Sequence, residues 1–248
     1  MAGAWLVLAF LLLPAFVALP FSFSDRRYLS WPEQGLSLAP YADLLGSEKW
    51  LGSFWQSLVI ASASALLATL LGTLCAVGLW RLASRWSEAL RGLLLAPVIV
   101  PPIVSALGFY QLFVDLGLLD SYAGVILAHA ILASPFVVIT VAASLAGFNL
   151  RLEQAARSLG ASMLQTLRLV ILPAIRPGVL SGAVFAFILS WDEIVVTLFI
   201  TRFDIFTLPR RMWDGIREHT DPKIAAAAAI LILLTVLGTL ISLRVRRR

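Results

Sequence analysis

The sequence predicts an all-α, polytopic membrane protein with six transmembrane helices. Three observations carry that prediction. Of 248 residues, 60% are hydrophobic and only 13% are charged, and the mean hydropathy is +0.92, well outside the range of a soluble domain. Uncharged runs cover 4–24, 51–80, 92–114, 121–150 and 224–243, each long enough to cross ~30 Å of hydrocarbon at ~1.5 Å per residue. A sixth run, 177–201, is interrupted only by Asp192 and Glu193. Little length remains for a separate soluble domain.

The first run lacks the basic residues that open a secretory signal, and its ~20 apolar residues exceed a typical signal core. It is read as span one, so that 1–50 comprises a helix and an outer loop, with the main membrane domain at 51–245. Span two holds the single cysteine, Cys75, which leaves no partner for a disulfide or a thiolate metal pair. Span three contains Pro97, Pro101 and Pro102. Each lacks an N–H and displaces a carbonyl, so an unbroken helix is excluded, and the bend is expected to shape a passage where protein or water covers the freed backbone. Span four carries His129, expected to be packed with its imidazole satisfied, and Ser134-Pro135, a weaker break of the same kind. The other histidine, His219, falls in an outer loop with no ligand partner at suitable spacing.

Between spans four and five lies the longest polar interruption in the chain. Leu152, Ala155, Ala156 and Leu159 share one face of a short helix by the i, i+3, i+4, i+7 rule. Gly160 suits the left-handed residue that ends such a helix, and Ser162 suits the cap of the next. In that second helix Met163, Leu164, Leu167, Val170 and Ile171 are expected on one face, with Gln165, Thr166 and Arg168 opposite. Pro173 and Pro177 then prevent simple continuation. Two short amphipathic helices meet at a glycine elbow over 147–176.

Span five carries Ser190-Trp191-Asp192-Glu193. Counted from Pro177, Asp192 sits ~22 Å along a helix, past the midplane. Adjacent carboxylates in a span are expensive and face a cavity or a partner, not lipid. On a continuous helix Ser190, Glu193 and Thr197 share a face, and Asp192 points ~100° away from Glu193.

Orientation follows from Lys and Arg. With the amino terminus inside, the inner segments carry Arg81, Arg85, Arg91, Arg151, Arg157, Arg168, Arg176, Arg244, Arg246, Arg247 and Arg248, eleven of the nineteen basic residues. Loop 81–91 has three arginines and loop 114–121 has none. Both termini and the elbow are therefore expected in the cytoplasm. The basic balance is explained by arginines at span ends meeting anionic lipid headgroups, and does not argue for nucleic acid. There is no Gly-x-x-x-x-Gly-Lys-[Ser/Thr], and the only lysines are Lys49 and Lys223, so the chain has no P-loop for ATP. No nucleophile–base pair or metal cluster is apparent. The pattern is that of a membrane component of a larger machine, not an enzyme.

The elbow resembles the EAA loop of the integral-membrane subunits of bacterial ABC importers: Gln154-Ala155-Ala156, Gly160, Val170 and Leu172-Pro173 keep every spacing of that pattern, with Gln154 where the family has Glu, beside Glu153. The resemblance covers roughly 50–245 as a type 1 ABC importer permease fold. It implies that Glu153, Gln154, Ala155, Ala156, Leu159, Gly160 and Met163 couple to a separate ATP-binding subunit, with no cofactor on this chain. It implies as partners two ATP-binding cassette subunits, a second permease chain expected to be different from this one, and a periplasmic solute-binding protein. The segment Ser190-x-Asp192-Glu193-Ile-Val-Val-Thr-Leu-Phe, with Thr207-Leu-Pro209 and Asp221-Pro222, is most similar to the spermidine/putrescine permeases of that class. In those permeases the Ser-x-Asp-Asp/Glu motif is associated with the cationic solute, which places Ser190, Asp192 and Glu193 in the substrate path. Related importers of opines, amino-acid-like amines, ferric iron and thiamine share much of this framework. The rivals are a self-sufficient secondary transporter, which leaves the EAA-like spacing unexplained, and an ABC exporter domain, which needs longer cytoplasmic helices than 147–176 supplies.

Overall fold

The computed structural model describes residues 2–24, 30–33, 35–82, 84–218 and 221–246. His219, Arg26, Arg27, Arg247 and Arg248 lie outside these. From the amino end the helices are α1 (Ala2–Phe21), α2 (Ala39–Leu45), α3 (Glu48–Leu82), α4 (Arg85–Ile99), α5 (Pro102–Leu116), α6 (Tyr122–Ala146) and α7 (Leu150–Ser158). There follow α8 (Met163–Thr166), a π turn (Leu167–Ile171), α9 (Leu172–Ala174), α10 (Arg176–Asp192), α11 (Val195–Ile200), α12 (Leu208–Glu218) and α13 (Lys223–Arg246). No strand occurs among the described residues. The all-α class is as the sequence predicts.

Packing divides the chain into two compact units, Met1–Phe54 with Arg210–Arg248, and Trp55–Pro209. The grouping follows contact, not chain order, because α1 and α13 pack on each other. In the first unit Ser22 Oγ lies 2.6 Å from the Tyr41 hydroxyl, and Arg211 Nε donates to Ser53 Oγ at 3.0 Å. Asp221 caps α13 by accepting from Lys223 N at 2.9 Å.

The second unit is built around α6, which is buried along most of its length. Val137, Val138, Val141 and Leu145 of α6 pack with Ala68, Ala76 and Val77 of α3, with Ile171 and Ile175 at the end of the elbow, and with Ala186 of α10. A second cluster joins Val125, Ala128 and Leu132 of α6 to Phe113 of α5 and to Val196 and Ile200 of α11. Close approach depends on glycine. A Cβ on Gly182 would lie 2.7 Å from Thr140 Oγ1 and 3.0 Å from Val137 Cα, one on Gly178 would strike the Ser144 hydroxyl, and one on Gly72 would lie 2.8 Å from Val137 Cβ. Small residues four apart let helices pack at backbone distance in a membrane.

Among the described residues α3 and α6 are each long and apolar enough to cross a membrane. Two bent pairs meet the same test together: Trp86–Ile99 with Pro102–Leu116, bent by 102°, and Met163–Ala174 with Arg176–Asp192, bent by 70°. The first bend lies where the prolines place it. Val100 is extended, at φ −73° and ψ 127°, because the residue before a proline is pushed out of the helical region. Pro97, by contrast, stays inside α4, so the adjacent Pro101 and Pro102 make the break. The bend borders an apolar groove of about 350 Å³, lined by Leu93, Pro97, Ser105, Phe109 and Ile131 among others.

Two expectations are corrected. Ser134-Pro135 does not break α6, which runs through it. Pro135 removes the N–H that would bond the Ile131 carbonyl, and Ser134 Oγ donates to that carbonyl at 2.9 Å instead. Conversely, 177–201 is not one helix: α10 ends at Asp192 and α11 begins at Val195.

Candidate coupling elbow and span break

The elbow forms by local chemistry. Asn149 Oδ1 caps α7 by accepting from Arg151 N at 3.0 Å. At the other end Gly160 has φ +88°, Gly160 N bonds Arg157 O at 3.0 Å and Ala161 N bonds Ala156 O at 3.1 Å. That pair of bonds is the Schellman closure, which needs a left-handed residue where Gly160 stands. Ser162 then opens α8 with a capping box: its Oγ accepts from Gln165 N at 3.3 Å, and Gln165 Oε1 accepts from Ser162 N at 2.8 Å.

Around the glycine turn the side chains of α7 and the start of α8 are arranged inside out. Leu159 is 89% exposed, and Leu152, Ala155, Met163 and Leu164 are also exposed, while Glu153 is buried at 8%. Glu153 Oε1 accepts from Arg81 Nη1 at 2.9 Å, and Arg81 lies over the Trp80 ring, which meets Phe148 edge to face. Of the seven residues expected at a docking face, Gln154, Ala155, Leu159, Gly160 and Met163 are exposed and Ala156 is half-buried. Glu153 is the exception, since it turns inward to a cation on α3. Thr166, expected on a polar outer face, is fully buried and donates to Ser162 O at 3.0 Å. Beyond it the helix widens: Leu172 N bonds Leu167 O, the π spacing, directly before Pro173, which cannot donate to the carbonyl four residues back. The single apolar face expected from helical spacing is not kept, since Met163 and Leu164 are exposed while Ile171 is buried.

At the second site the two helices are cut between Asp192 and Val195. Asp192 is exposed, whereas Ser190 is buried. Glu193 is half-buried and its Oε1 accepts from Val196 N at 2.9 Å, capping α11. The helical count that put Ser190, Glu193 and Thr197 on one face is replaced by a bridge. His129, with no exposed surface, places Nδ1 2.9 Å from Ser190 Oγ and Nε2 3.1 Å from Thr197 Oγ1. The sequence expectation of a satisfied imidazole holds, and its partners are two hydroxyls from α10 and α11. Trp191 stacks on Phe187 with ring centres 5.8 Å apart.

One organising residue is not marked in the sequence. Asp120, at φ +51°, accepts from the backbone N–H groups of Arg202, Phe203, Asp204 and Ile205 at 3.0, 2.7, 3.1 and 3.2 Å. Burial raises its carboxyl pKa, but the four donors outweigh it and hold the group below the ordinary value of 3.8. Gln56 clamps the same loop, donating to Asp204 O at 3.0 Å and accepting from Phe206 N at 2.7 Å.

Comparison with known proteins adds the following. The model of a family described as binding-protein-dependent transport system inner membrane component matches residues 68–248. The spermidine/putrescine transport system permease protein PotC of Escherichia coli (strain K12) is 34% identical over 242 residues, 97% of this chain and 91% of that protein. The putrescine transport system permease protein PotI of the same organism is 29% identical over 235 residues, 90% of this chain and 82% of that protein. Among solved structures, a bacterial ABC transporter involved in the import of the acidic polysaccharide alginate superposes with a TM-score of 0.73 at 16% identity, covering 99% of this chain and 94% of that one. That last likeness speaks to fold alone.

Proposed function

The chain belongs to the binding-protein-dependent transport system inner membrane components, and from that premise we propose that it lines the solute path of an ATP-driven importer of polyamines such as spermidine or putrescine. It is a permease subunit and not an enzyme. The observation that carries the reading is the elbow, where Leu152, Leu159, Met163 and Leu164 face outward while its one carboxylate, Glu153, faces in. An exposed apolar face rimmed by polar groups marks a protein contact.

In this reading six spans hold both termini and the elbow on the cytoplasmic side of the inner membrane. Two ATP-binding subunits each receive one elbow, this chain pairs with a second permease, and a periplasmic binding protein delivers solute at the outer face. ATP binding draws the ATP-binding subunits together, the elbows follow, and the attached spans rock between outward-open and inward-open states. Ala155, Ala156 and Gly160 allow close seating, and Leu159 and Met163 supply apolar contact. No chemistry is done by this chain.

Solute contact falls to Asp192. Its carboxylate is exposed at a break in a span, at the negative end of α10, an arrangement that favours an ammonium group. Weak contact suffices, since a tight site would trap the solute. Ser190 and Glu193 shape the break instead. The test is uptake of labelled spermidine by the assembled importer. Asp192→Asn keeps the shape and removes the charge, and uptake falls severalfold at unchanged membrane abundance. Glu193→Gln retains an oxygen for Val196 N and loses less. Wild-type uptake by Asp192→Asn, or an anion as the ligand of the cognate binding protein, would overturn the charge assignment while leaving the importer class intact.

A further inference from the structure

Non-helical backbone at membrane depth keeps its form only where protein covers it or where it lines a wet cavity. The break after Asp192 joins two helices, α10 and α11, each of which packs on α6. His129 of α6 reaches both, through Ser190 on α10 and Thr197 on α11. Thr197 Oγ1 also donates to Glu193 O at 3.0 Å, so the hydroxyl that meets the imidazole is itself tied to the break. The ring is wholly buried between two hydroxyls, one from each helix, and both of its nitrogens find a partner there.

We propose that His129 is a positioning residue for solute passage, a pin through which α6 sets the geometry of the α10–α11 break and hence where the Asp192 carboxylate stands. It acts through Asp192 and does not touch solute, because none of its surface is exposed. Glu193 belongs to the same device: its carboxylate caps α11 and its carbonyl receives the Thr197 proton. The inference rests on reading Asp192 as the solute contact.

The test uses the whole importer in vesicles, with labelled spermidine as the probe and rates expressed per assembled complex. Four single variants are compared, His129→Leu, Asp192→Asn, Thr197→Val and Thr197→Ser, with the double variant of the first two. His129→Leu lowers the maximal uptake rate about tenfold, the scale expected when a contact group is displaced by a fraction of an ångström or more. Thr197→Val is impaired and Thr197→Ser, which keeps the hydroxyl, is close to wild type. The double variant is no slower than the slower single, because the pin works only through the carboxylate. An unrelated structural defect would instead multiply the two losses. Multiplied losses, or wild-type uptake by His129→Leu, overturn the pin. Wild-type uptake by Asp192→Asn overturns the underlying reading of the path, a different result from either. Where His129→Leu fails to assemble, the same cycle run with Thr197→Val decides the question by the same criterion.

Discussion

Arg81 and Glu153 meet at 2.9 Å across 72 residues of sequence, joining the last turn of α3 to the first turn of α7. The pair is largely covered, with side-chain exposures of 25% and 11%, and Arg81 Nη2 has no partner among the described residues. Removing either charge leaves the other poorly solvated, which costs more than losing an exposed surface pair. Glu153→Ala is expected to destabilise the seating of α7 by about 2 kcal/mol, read as faster hydrogen exchange of the α7 amides. Uptake falls with it. Exchanging the charges, Arg81→Glu with Glu153→Arg, restores part of the loss. Equal exchange rates in wild type and Glu153→Ala would mean that the pair does not hold the helix.

Gly160 gives the sharpest test of the elbow's shape. Nothing lies within 4 Å of a Cβ built on it, yet its φ of +88° is one that side-chain-bearing residues rarely adopt. A valine there meets no neighbour and still strains the backbone, since β-branched residues disfavour positive φ. Gly160→Val should insert normally and lose uptake, as measured by membrane abundance against transport. Normal transport by that variant would remove the elbow from the mechanism.

The Asp120 carboxylate makes a pH prediction. Its folded pKa lies below the unfolded value, so its contribution to stability is present above the unfolded value and is lost as pH falls through the folded one. Loop 202–205 should therefore be unaffected between pH 5 and 8 and loosen only in strong acid, below about pH 4. Asp120→Ala should loosen it at all pH values, by about 1–2 kcal/mol. Limited proteolysis of the loop against pH reports both.

What the sequence discloses and what it hides divide by range. The Gly160 turn and the Ser162 cap are legible because each is closed by residues within five positions. The Pro101-Pro102 bend is legible because proline acts on its own backbone. Glu153 is not, since helical spacing describes a face but not what lies opposite it, and Arg81 is remote. The His129 bridge spans 61 and 68 residues and the Asp120 clamp 82 to 85, beyond any local pattern. The π turn over Leu167–Ile171 departs from the 3.6-residue period on which the face of the second helix was assigned. One signal was present and informative: Gly178 and Gly182, four apart, mark the face of α10 that approaches α6 closely.

The most direct measurement concerns Leu159, the most exposed large apolar residue of the elbow. A photo-reactive residue in its place, in membranes where the importer is expressed whole, should on irradiation join this chain to its ATP-binding subunit, and Glu153 replaced in the same way should not. Cross-linking of Leu159 to the ATP-binding subunit is the predicted result. An intact, transporting complex in which Leu159 links only to lipid or to the second permease would contradict the assignment of the elbow as the coupling surface.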